Sequence, residues 1–165
     1  MKQLKHPDSF HIEAARGWLG LGDIVSASEE LEQITPQLKV HPEVLLVRCE
    51  IYGSAKKWDA VLTIAQTLVK IAPKEIHGWI QRSFALHELK RTQEAFDLLL
   101  PATCLFPKEW LIRYNLACYC AQLGLLKEAW QWLEKAFDLG DSKKLKLMAL
   151  DDPDLESFWA NIAKI

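Results

Sequence analysis

Apolar residues recur along the chain at intervals of three and four, the spacing of one face of an α-helix rather than the alternation of a strand. Leu116, Ala117 and Cys120 make one such stripe, and Ala129, Leu133 and Ala136 make the next. Gly124 interrupts the pattern between them, as Gly22 does between Trp18 and Ala27. The pattern also repeats at longer range. Displacing the chain by 34 residues aligns Ala27, Val61, Ala95 and Ala129, and in the same phase Ala15, Cys49, Ser83 and Ala117. Three more columns hold Ile34/Leu68/Ala102/Ala136, Leu31/Ala65/Leu99/Leu133 and Trp18/Tyr52/Leu86/Cys120, and Pro73 and Pro107 share the same interval. Each period therefore predicts two helices joined by a tight turn. The small residues have a steric reason, because antiparallel helices reach the near end of the roughly 8–10 Å interaxial range only where a small side chain faces the partner.

The series Trp79, Ser83, Leu86, Ala95, Ala102, Pro107 resembles the tetratricopeptide repeat in period and in order of residue types. The resemblance implies an all-α, right-handed α-solenoid of helix–turn–helix repeats, about ten helices in all. Four repeats are expected at 8–41, 42–75, 76–109 and 110–143, after an N-terminal extension at 1–7. His11 and Arg113 stand in the Trp79 column of the first and fourth repeats. Residues 144–165 read as a capping segment: one short helix over Lys144–Leu150, then Asp152 as N-cap, Pro153 at the first helical position, and Leu155, Phe158, Trp159 and Ile162 on one apolar face. The cap is expected to cover Trp130, Leu133 and Phe137. Pro101 breaks the helical pattern, since it lacks an amide donor and clashes with the carbonyl of Asp97, so a kink or a restart near Ala102 is expected.

Composition narrows the function. Leu and Ala outnumber Val, Ile and Thr, and Gly and Pro are only seven each in 165 residues, which favours helix and excludes an all-β domain. A net charge of −2 with no basic stripe argues against nucleic acid. The N-terminal residues lack a signal-peptide apolar core, and no run approaches the ~18 apolar residues of a membrane span, so a cytoplasmic, membrane-free protein is expected. The four cysteines, Cys49, Cys104, Cys118 and Cys120, have no disulfide-framework spacing and read as thiols.

Catalytic chemistry finds no foothold. Walker, G-x-S-x-G, H-E-x-x-H and C-x-x-C motifs are all missing, so no enzyme activity, cofactor or metal is expected. His77, His87 and Cys118 are too few for a zinc site and read as surface histidines and a lone thiol. Asp151-Asp152-Pro153-Asp154 lacks calcium-loop spacing and reads as a turn with a helix cap.

The resemblance implies instead a concave groove lined by the first helix of each repeat. Ile12, Glu13, Arg16 and Leu19 fall there from the first repeat, and Glu43, Leu46, Val47 and Glu50 from the second. The third supplies His77, Ile80, Gln81, Phe84 and His87, and the fourth Leu111, Tyr114, Asn115, Cys118 and Gln122. With Arg16 set against Glu13, Glu43 and Glu50, the groove is apolar and mildly acidic, suited to a peptide segment of a protein partner. Where the best-known grooves of the family place Lys, Asn and Arg to clamp acidic tails, this chain has Ile12, Arg16, Val47, His77 and Gln81, of which only Arg16 could serve. Two alternatives stand beside this reading. One is a groove packed on itself or on the chain's own terminal segment. The other is a solenoid, monomer or weak homodimer, that self-associates through a Trp-rich edge at Trp110, Trp130 and Trp132.

Overall fold

The computed structural model describes residues 4–164, whose regular structure is all helical with no strand among them. Eleven α-helices follow in order: α1 (Asp8–Gly20), α2 (Ile24–Glu32), α3 (Pro42–Ser54), α4 (Trp58–Ile71), α5 (Ile76–Glu88), α6 (Thr92–Leu99), α7 (Ala102–Leu105), α8 (Trp110–Gln122), α9 (Leu126–Leu139), α10 (Ser142–Leu150) and α11 (Trp159–Ile162). Short 3-10 turns occupy Pro36–Leu38 and Pro153–Phe158. The chain divides between Ala85 and Leu86, inside α5, into two compact units.

Four of the five columns are buried as their spacing requires: every member, from Ala15 to Ala136, is at most 4% exposed. Trp18 departs from the fifth. It is 39% exposed, although its column predicts core. Trp18 lies over a shallow depression of ≈ 260 Å³ with Ser26, Glu29, Glu30 and Gln33. No helix precedes α1 among the described residues, and the short α2 leaves the indole uncovered.

The tight turns are also in register. The amides of Asp23, Lys57, Arg91 and Leu125 donate to the carbonyls of Trp18, Tyr52, Leu86 and Cys120 at 2.8–2.9 Å. This 6→1 bond is the Schellman closure of a helix C-terminus, which needs one residue in the left-handed region. That residue is Gly22 (φ +80°) in the first hairpin and Gly124 (φ +77°) in the fourth, but Lys56 (φ +54°) and Lys90 (φ +63°) in the others. Side chains with a Cβ are strained there. Lys56→Gly and Lys90→Gly are each expected to raise stability by about 0.5–1 kcal/mol, read as a higher denaturation midpoint.

In the first unit α1 packs on α2 and on α3, and α3 packs on α4. Leu4, Ile12, Ala15, Ala27, Leu31, Ile34, Val44, Val47 and Ile51 form a single core, which takes in Leu4. The start of α1 is tied to the end of the hairpin, because the Asp8 carboxylate accepts from the Thr35 amide (2.7 Å) and hydroxyl (3.1 Å). Those bonds hold the Asp8 carboxyl below its ordinary value. Gly78 of α5 sits against α4, where a Cβ would stand 2.9 Å from that of Leu68 and 3.2 Å from the Val69 amide nitrogen.

The second unit is built around α8, which is buried over most of its length and packs on α6, α7, α9 and the 3-10 turn Pro153–Phe158. Pro101 acts as expected: α6 stops at Leu99 and the helix restarts at Ala102 as the one-turn α7. Arg113, which replaces an aromatic in its column, is only 8% exposed and donates to the carbonyls of Thr103, Phe106 and Glu109 at 2.7–3.0 Å. Trp79 makes the matching contact of the preceding repeat, from its indole N–H to the Pro73 carbonyl at 3.0 Å.

Candidate peptide-binding face

The first helices of the repeats carry the residues expected to line a groove, and burial sorts them into three groups. Ile12 and Val47 are 1% and 0% exposed and belong to the core of the first unit. Because α1 packs on α3 as well as on α2, it buries residues on two sides. The expectation that Ile12 and Val47 line an open groove is therefore corrected.

A second group stays accessible on the first unit. Glu13 and Arg16 of α1, and His77 and Phe84 of α5, are exposed, whereas Leu19, Glu43, Leu46, Glu50, Ile80 and Gln81 are half-buried. The Arg16 guanidinium reaches across to α3, with Nη1 3.9 Å from Glu43 and Nε 3.7 Å from Glu50. Both separations lie at the outer limit of an ion pair, on side chains 29–43% exposed, where such pairs contribute little. The result is a cation loosely held between two carboxylates, with Glu13 one turn earlier on α1. Phe84 is 40% exposed and meets Trp58 edge-on, ring centroids 5.5 Å apart.

The third group lies on the second unit and is covered by the chain itself. Tyr114, Cys118 and His87 are 4%, 5% and 7% exposed. The turn that starts at Asp152 lies on them. Asp152 Oδ2 accepts from the Tyr114 hydroxyl at 2.9 Å and from the Cys118 thiol at 3.6 Å, and Asp152 Oδ1 caps its own turn by accepting from the Asp154 amide at 3.0 Å. His87 Nε2 is 3.0 Å from Asp154 Oδ2, and His87 Nδ1 is 3.0 Å from the Thr92 hydroxyl. A carboxylate only accepts, so Nε2 carries the proton, and in the neutral ring Nδ1 then accepts from Thr92. Gln122 donates to the Asp154 carbonyl at 3.3 Å. Leu111 and Asn115 remain half-buried. An open groove at Tyr114 and Cys118, and a surface His87, are thus replaced by a closed, hydrogen-bonded contact.

The electrostatics follow from that closure. Burial, then the neighbouring Cys118 and Asp152, push the Tyr114 hydroxyl above its ordinary value; burial and the Asp152 and Asp154 carboxylates do the same to the Cys118 thiol. Both stay protonated and act as donors. Cys118 Sγ and one oxygen each of Asp152 and Asp154 lie within 4.8 Å of one another, a geometry that admits a cation. Tyr114 and His87 already donate to the two carboxylates, so the group is held together by the chain's own hydrogen bonds. Cys49 and Cys120 are raised by burial to about 12 and about 11.

The cap also reaches the Trp-rich edge. Phe158 packs on Trp130 with centroids 5.6 Å apart, and the Trp159 indole N–H is shared between the carbonyls of Ala149 and Asp152. Trp110 lies against Gly140 and meets Tyr114 edge-on at 6.4 Å, and Lys135 stands 4.3 Å over Trp132. The cap over Trp130 is foreseeable from the sequence, but its carboxylates on the inner face of α8 are not. The only signal is the pair of aspartates flanking Pro153, which read as a turn.

No family model and no curated protein matches the chain. Solved structures do match it. A thermophilic TPR protein of Thermus thermophilus, TTC0263, superposes with a TM-score of 0.73 at 19% identity, covering 97% of this chain and 83% of that one. MamA, residues 41 to the end, from Desulfovibrio magneticus RS-1 gives 0.72 at 16% identity, covering 98% and 94%. A MamA structure designated MSR-1 gives 0.66 at 22% identity over 83% and 78%. Identities in this range speak to fold alone. Together with the buried columns and the four in-register Schellman turns, they make the architecture plain: the chain has the tetratricopeptide-repeat fold, an all-α solenoid of helix–turn–helix units.

Proposed function

We propose that this chain is a protein-interaction module, not a catalyst, and that it binds a peptide segment of a partner on the accessible face of its first unit. One observation carries the reading: Arg16 is loosely shared between Glu43 and Glu50 beside Glu13, with Leu46, Ile80 and Phe84 supplying accessible apolar surface on the same unit. A basic side chain on the partner would compete for those carboxylates at little cost, since the Arg16 pairs it displaces are weak. An apolar neighbour on the peptide would bury against Phe84. The preferred ligand is therefore a short segment that mixes Lys or Arg with an apolar or aromatic residue. Among the described residues no helix is long and apolar enough to cross a membrane.

Selection from a displayed random-peptide library tests the preference. The wild-type chain should enrich peptides carrying basic and apolar residues, and Phe84→Asp should lose them while keeping its helical circular dichroism. Enrichment of acidic peptides, or equal enrichment by Phe84→Asp, would count against this face.

A further inference from the structure

The inner face of α8 presents donors with one common target. Tyr114 OH, Cys118 SH and the Gln122 amide point from successive turns of one helix, and His87 joins them from the end of α5. Each of these four donates to an oxygen of Asp152 or Asp154. Below them the same segment sets Leu155 (0% exposed) and Phe158 (6%) into the core of the second unit. Pro153 and the Asp152 cap fix the segment as a 3-10 turn, so it meets the face already folded. An acidic, turn-forming Asp-Pro-Asp-Leu sequence lies on a row of donors that only acceptors satisfy. That is the relation of a ligand to its site.

We propose that the inner face of α8 is a recognition site for an acidic Asp-Pro-Asp-Leu turn, filled in cis by residues 152–155 and able to take the same kind of turn from a partner protein. The proposal goes beyond the basic-peptide face of the first unit and concerns the opposite ligand charge. Specificity follows from the donors. Asp152 accepts on both oxygens, Oδ2 from the site and Oδ1 from its own turn, so an Asn there turns an NH₂ toward a donor and leaves one unpaired. At 154 an Asn can still accept from His87 but removes the negative charge. Tethering gives the cis turn a high effective concentration, so a partner's turn gains access only when the cis copy is weakened.

The test uses the 165-residue chain carrying Asp152→Asn and Asp154→Asn, which alters the tethered turn and leaves Tyr114, Cys118, Gln122 and His87 intact. Hydrogen–deuterium exchange should show the segment 151–164 exchanging faster than in wild type, with α8 still protected. A fluorescein-labelled synthetic peptide of residues 151–164, followed by anisotropy, should then bind the double variant at least about tenfold more tightly than it binds wild type. The same peptide with both aspartates changed to Asn should not bind, and adding Tyr114→Phe to the double variant should weaken binding by about tenfold. Four results would each overturn the proposal. The first is a 151–164 segment that stays protected in the double variant, showing that the carboxylates do not hold it. The second is a released variant that fails to bind the peptide, and the third is an Asn peptide that binds as well as the Asp peptide. The fourth is sedimentation of the double variant as a segment-exchanged dimer, which would make a second copy the occupant in place of a partner.

Discussion

Replacing Arg113 by Met is expected to lower stability by about 3 kcal/mol, seen as a shift of the urea or thermal midpoint. The guanidinium is buried and ties together three carbonyls at the end of α7 and before α8, those of Thr103, Phe106 and Glu109, of which Phe106 also accepts from the Glu109 amide. Hydrogen bonds to a charged donor contribute about 1.5–3 kcal/mol each. The offset is desolvation, which also pulls the Arg113 pKa below its ordinary value and limits the net effect. Met fills the hydrocarbon part of the space, so the loss reads the hydrogen bonds rather than a cavity. Arg91 is the control. Its bidentate pair with Glu94 has good geometry at 2.7 Å, but the side chains are 46% and 52% exposed, and Arg91→Met should change stability by less than about 0.5 kcal/mol. Equal effects at the two sites would mean that Arg113 does not anchor the connection.

Leu155→Ala should cost about 3 kcal/mol, within the range of roughly 2–5 kcal/mol for a fully buried leucine truncated in a packed core. Leu155 is 0% exposed and anchors its 3-10 turn in the core of the second unit. Its effect should be local as well as global: amides of 151–164 should exchange faster, and the burial of Tyr114 and Cys118 should relax with them. Leu147, on the outer side of α10 and 62% exposed, gives the comparison. Leu147→Ala should stay within about 0.5 kcal/mol of wild type.

The hairpins are legible in the sequence because close helix packing demands small side chains at fixed positions, and Ala15, Cys49, Ser83 and Ala117 satisfy that demand in phase. Pro101 is legible for a similar reason, since a missing amide and a ring clash act locally whatever surrounds them. Residues whose fate depends on neighbouring repeats are less so. Ile12 and Val47 read as groove because they lie off the face that meets the partner helix, yet the packing of α1 on α3 buries that side too. Trp18 carries the residue type of a core position, but the described residues leave it 39% exposed. Lys56 and Lys90 give no sign of a left-handed turn, because their conformation is imposed by the Schellman closure rather than favoured by the residue. The contact between Asp152 and Tyr114 spans 38 positions and depends on how the cap folds back, which helical periodicity cannot encode.

The residues expected to form one groove therefore fall into two surfaces: an accessible acidic face on the first unit and a face on α8 filled by the chain's own aspartates. The most direct measurement is an amide and methyl NMR titration of the 165-residue chain with a basic–apolar peptide from the library selection. Shifts confined to α1, α3 and the 76–85 stretch of α5, with Arg16, Leu46, Glu50 and Phe84 among the largest and α8 unchanged, are the predicted result. Shifts centred on Tyr114 and Cys118, or spread over α9 and α10 with none at Phe84, would contradict it.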